Sequence, residues 1–105
     1  MVKKKEPGTG YDIVLVEWVD AEEHGEVGWN NLKAQLKYAK KPCPVMRSVG
    51  FEVWRDANHI ALLSSIGDKE CSTVEKIPMG FITSIEPLIV KKKTRDAKQN
   101  LLKKH

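Results

Sequence analysis

The chain has 105 residues, 41% of them hydrophobic and 30% charged, with a formal charge of +4. That length allows one domain with a single thin core, and it leaves no room for a deep, enclosed active site. No apolar run approaches the roughly 20 residues needed to cross a bilayer as a helix, so no membrane association is expected.

The charge is unevenly spread. Residues 91–105 carry seven Lys and Arg against the single acid Asp96, and residues 1–10 carry Lys3, Lys4 and Lys5 against Glu6. Residues 11–90 hold eight basic and twelve acidic residues, so the body is mildly acidic and the basicity lies at the two ends. A phosphate-binding face needs Lys and Arg gathered on one surface, and the body offers no broad one.

Residues 1–10 are Lys-rich, then broken by Pro7 and Gly8 with no apolar stretch behind the charges. This pattern predicts a disordered tail rather than a secretory signal, and with it a cytoplasmic location. Tyr11 to Val19 reads as a first strand, with Val14, Val16 and Trp18 on one face and Ile13 and Leu15 on the other. Residues 20–26 form an acidic loop without the alternating acid spacing of a calcium site.

Residues 29–41 are the best helix candidate. Trp29, Leu32, Leu36 and Ala39 make one apolar stripe, Asn30 or Asn31 can cap the start, and Pro42 and Pro44 stop the end. Lys33, Lys37, Lys40 and Lys41 decorate the other positions, the last two suited to the negative end of the helix dipole. The stripe is expected to cover one mouth or one face of the sheet, and Trp18 and Trp29 are read as core.

Val45 to Arg55 reads as a long strand, with Val45, Arg47, Val49, Phe51 and Val53 on one face and Met46, Glu52 and Trp54 on the other. Residues 56–59 make a turn through Asp and Asn chemistry. A strand over 59–66, a turn at 67–70 and a shorter strand over 71–77 follow. Pro78, Met79 and Gly80 predict one 3₁₀ turn, and Ile82 to Val90 a last strand whose far end Pro87 makes an edge. Residues 91–105 are predicted to be a basic tail or helix. Five short strands in this order, with one helix in the first connection, predict a mostly β domain over 11–90: a small five-stranded barrel with an SH3-like strand order.

Cys43 and Cys71 belong to no C-x-x-C pair and read as reduced thiols packed as small apolar groups. His24, His59 and His105 are scattered and form no ligand set, so no metal and no cofactor are expected. No catalytic triad, carboxylate pair or phosphate-cradling loop is visible, and the chain reads as a non-enzyme. Asp56, Asn58 and His59 share one turn. Turn chemistry accounts for the first two, while a small-ligand pocket built from them stays open.

Two stretches carry a family resemblance. Residues 49–62, with Gly50 followed six positions later by Asp56 and then by Asn58, resemble the first signature of Sm-like proteins. Residues 77–85, with Gly80 before Ile82 and Ile85, resemble the second. The order Trp18 to Asp20, Gly28 and Trp29, Cys43 to Val45, Val49 and Gly50, and 77–85 is also similar to that of short tailed-phage proteins. The resemblance implies an SH3- or Sm-like small barrel and, for a phage-encoded chain, the host cytoplasm.

Two functional readings follow. In the first, the barrel binds RNA or single-stranded nucleic acid, with Lys91, Lys92, Lys93, Arg95 and Lys98 contacting phosphates and Trp54 stacking on a base. In the second, it is a self-assembling or protein-interaction module, a homo-oligomer and conceivably a ring, because its edge strands are apolar enough to need cover.

Overall fold

The computed structural model describes residues 10–91. In chain order the elements are β1 (Ile13–Val19), α1 (Leu32–Ala39), β2 (Val45–Arg55), β3 (His59–Leu63), β4 (Val74–Pro78), a 3₁₀ turn (Met79–Phe81) and β5 (Ile82–Leu88). The strands form one antiparallel sheet in the order β4-β3-β2-β1-β5. The mostly β reading with one helix in the first connection holds for these residues. The proposed tails fall almost wholly outside them.

β4 and β5 are opposite edges of this sheet, yet three residues join them. Pro78 closes β4 beside His59, next to the Arg55 end of β2, and Ile82 opens β5 beside Trp18, which faces Met46 at the other end. In a flat sheet those two levels of β2 would lie about 33 Å apart along the strand direction, at roughly 3.3 Å per residue. A single 3₁₀ turn advances only about 2 Å per residue. The sheet is therefore strongly coiled around β2. The amide of Met79 donates to the carbonyl of Asn58 at 2.8 Å, tying the short link to the β2–β3 turn.

Two bulges supply the bending. Val53 is the extra residue between the Glu52–Leu62 and Trp54–Ala61 pairs, and Thr83 is the extra residue between the pairs Glu17–Ser84 and Trp18–Ile82. A bulge raises the local twist and lets a strand turn a corner. The coiling brings Val14 and Val16 of β1, Ile60 and Leu62 of β3 and Ile77 of β4 into one buried cluster, with Trp18, Met79, Ile82 and Ile85 against it. β1 and β3 are not neighbours in the sheet, and they meet only because it is curled.

The Val53 bulge also corrects the expected faces of β2. Glu52 pairs with Leu62 on the core side, whereas Trp54 pairs with Ala61 on the outer side, so the two residues do not share a face. Residues three apart on a regular strand point to opposite faces, but here Arg55 comes round to the side of Glu52. Glu52 is buried, and its carboxylate accepts from Arg55 Nε at 3.0 Å and Nη2 at 2.6 Å. Pairing offsets the cost of taking that charge out of water.

Gly50 sits where β2 passes from β1 to β3. A Cβ placed there would lie 2.9 Å from the Leu63 carbonyl oxygen and 3.1 Å from Leu62 Cβ. Backbone cannot retreat as a flexible side chain can, so Gly50→Ala should destabilise the domain by about 1–3 kcal/mol in urea unfolding. Gly80→Ala, which meets nothing within 4 Å, should stay within about 0.5 kcal/mol.

Candidate functional site

The turn between β2 and β3 is built on one carboxylate. Asp56 Oδ1 accepts from the amides of Asn58 at 2.8 Å and His59 at 3.0 Å, and Oδ2 accepts from Trp54 Nε1 at 2.9 Å. His59 Nδ1 lies 3.6 Å from the same Oδ1. The Trp54 hydrogen bond, and then the two amides, hold the Asp56 pKa down at about 2. Trp54, Asp56, Asn58 and His59 are thus brought together, as a self-satisfied turn. The carboxylate stays ionised beside the half-exposed Trp54. Of the predicted basic residues, Lys91 is exposed beyond the end of β5, and Lys92, Lys93, Arg95 and Lys98 lie outside the described residues.

The more distinctive feature is the β1–β2 connection, a finger of loop and helix. Asn31 caps α1 by accepting from the Ala34 amide at 2.9 Å, and Asn30 closes the preceding loop through both its side-chain atoms with Glu26. One side of α1 is stapled to the acidic loop. Gln35 donates to the His24 carbonyl at 2.7 Å, the His24 ring stacks on Tyr38 with centroids 3.6 Å apart, and Tyr38 donates to Glu22 at 2.9 Å. That last bond raises the pKa of the Tyr38 hydroxyl, because ionised tyrosine would lose its acceptor. Gly25 permits the fit: its φ is +129°, and a Cβ there would lie 2.5 Å from Gln35 Nε2.

The stapled side is not the apolar side. Val27, Trp29, Leu32 and Leu36 are 107, 103, 72 and 55% exposed, and no residue of α1 is buried. This overturns two expectations. Trp29 is not core, and the stripe covers neither a mouth nor a face of the sheet. The acidic loop holds the helix through polar groups and leaves the stripe facing solvent. Trp18 does pack against the core, where its indole N–H donates to Ser48 Oγ at 3.1 Å.

The cysteines also differ from expectation. Cys43 and Cys71 are free thiols, but both are exposed rather than packed as small apolar groups. Cys43 lines two open grooves of about 300 and 350 Å³ at the base of the finger. Among the described residues no three His, Cys, Asp or Glu are grouped to hold a metal, and no helix is long and apolar enough to cross a membrane.

Sequence reasoning found the residues of the turn and of the stripe, but not which of them face water. A signal existed: residues 27–46 hold four lysines and no acid, while residues 20–26 hold four acids, a pairing of segments rather than of helix and sheet. Compared with protein-family models, with curated proteins and with solved structures, the chain shows no match.

The depressed Asp56 pKa sets a pH dependence. Its unfolded value is near 3.8, so its contribution to stability is complete above that value and is lost as pH falls towards about 2. The thermal midpoint of the wild-type chain should fall more between pH 5 and 2 than that of Asp56→Asn, which keeps the turn acceptor but cannot ionise. Parallel profiles for the two proteins would refute the assignment.

Proposed function

We propose that this chain is a small SH3/Sm-like barrel that acts as a non-enzymatic, self-associating interaction module. Three features support the barrel: the strand order, the two bulges, and the stagger of about ten residues across the β4–β5 link. Closure of a small sheet requires a comparable stagger. The observation that carries the functional reading is the set of solvent-facing apolar side chains at the finger, Val27 and Trp29 in the loop and Leu32 and Leu36 on α1, a helix whose polar side is already held. Contiguous exposed apolar side chains on an otherwise ordered element mark an interaction surface. The edge strands β4 and β5 offer additional unpaired backbone.

Attachment to RNA or single-stranded nucleic acid is the second reading, and one observation favours it. Trp29 stands wholly exposed in a segment with Lys33, Lys37, Lys40 and Lys41, and aromatic side chains among lysines can stack bases and neutralise phosphates. The ionised Asp56 beside Trp54, and the acidic body, weigh against it.

Light scattering of the full chain should show a mass above that of one chain at high-micromolar concentration. The same protein should not be retained on single-stranded RNA in roughly 50 mM salt, a condition that favours phosphate contacts. A monomer at every concentration, retained on the RNA and released by about 200 mM salt, would replace this reading with the nucleic-acid one.

A further inference from the structure

β5 is the last strand of the described residues, and among them it pairs with β1 alone, along Ile13–Trp18. It gives the core Ile82 and Ile85, and its Thr83 hydroxyl donates to the Glu17 carbonyl at 3.1 Å. Only the link Met79–Phe81 ties the strand covalently to β4.

That link has the makings of a hinge. None of its residues is buried, and a Cβ at Gly80 would meet nothing within 4 Å. Phe81 is exposed, and Met79 alone of the three reaches the core. The turn is closed by one bond, from the Ile82 amide to the Met79 carbonyl. Both flanks are already extended, Pro78 at φ −60° and ψ 138° and Ile82 at φ −86° and ψ 130°. The proline ring holds the first of those φ angles in place. A change confined to Met79, Gly80 and Phe81 therefore turns the corner into one continuous strand running from β4 into β5.

We infer that two copies of this chain exchange β5, each laying Ile82–Leu88 along the β1 of the other. The inference rests on the self-association reading above and names the element that carries it. In a closed single chain, three residues must join sheet edges whose ends the register sets at opposite extremes of β2. Exchange removes that demand. It keeps the β1–β5 contacts, because the strand that arrives has the same sequence: Ile82 and Ile85 still enter the core, and Thr83 still reaches Glu17. Short, constrained connections invite such exchange, which is a low-cost route to a dimer. The swap is reciprocal, so it closes at two copies.

The test traps the exchanged strand covalently. The register pairs Leu15 with Glu86. Paired residues lie about 4.5–5.5 Å apart, within reach of a disulfide. Leu15→Cys with Glu86→Cys is made in a chain that also carries Cys43→Ser and Cys71→Ser, since both native thiols are exposed. After oxidation at high-micromolar concentration, exchange gives a two-chain band on a denaturing, non-reducing gel. A second variant, with three glycines inserted after Gly80, should need at least roughly tenfold more protein to dimerise than wild type, because a longer link raises the effective concentration of β5 at its own β1. Circular dichroism should show both variants folded. A one-chain band from protein that light scattering shows to be dimeric, or an inserted variant that dimerises like wild type, overturns the exchange while leaving self-association through other surfaces standing. A wild-type chain that is itself monomeric overturns the self-association reading and this inference together.

Discussion

A link of three residues between the two edges of a five-stranded sheet is the constraint from which the rest of the architecture follows. Met79–Phe81 must bring the end of β4 to the start of β5, although the register puts those ends at opposite extremes of β2. Only a coiled sheet with a bent central strand satisfies this. The bulges at Val53 and Thr83 provide the corners, and Gly50 provides the close approach of β2 to the Leu63 carbonyl. The small core is the result: side chains from β1, β3 and β4 converge without a second layer of structure.

The same bend explains the one buried charge among the described residues. The bulge that turns β2 places Glu52 and Arg55 on one side, so the carboxylate is paired where it is buried. A domain this small tolerates such a group only when its hydrogen bonds are met, because its core has little apolar burial to set against an unpaired ion. The Asp56 turn repeats the logic at the surface, with one carboxylate organising two amides and an indole.

An eight-residue helix is marginal in water by itself. α1 persists through its Asn31 cap and the polar contacts from Glu22 and His24 to Gln35 and Tyr38, not through burial of its stripe. Stabilisation from one side leaves the other facing solvent.

Local pattern by itself determined much of this protein. The alternation in β1 named Val14, Val16 and Trp18 as inward residues, the Pro78–Gly80 segment announced the 3₁₀ turn, and Asp56 with Asn58 announced the turn after β2, because each depends on interactions within a few residues. The strand ends are less legible in the sequence: β3 stops at Leu63 and β4 starts only at Val74, since pairing with a neighbour, not composition, bounds a strand. Three outcomes were decided only by tertiary structure. The Val53 bulge moved Trp54 to the outer face, the acidic loop took the polar side of α1, and the stripe with Trp29 was left in water. Hydrophobic periodicity states that a helix has an apolar side but carries no record of what that side meets. That depends on which other segment competes for the helix, and here hydrogen bonds and a ring stack from residues 22–24 set the outcome.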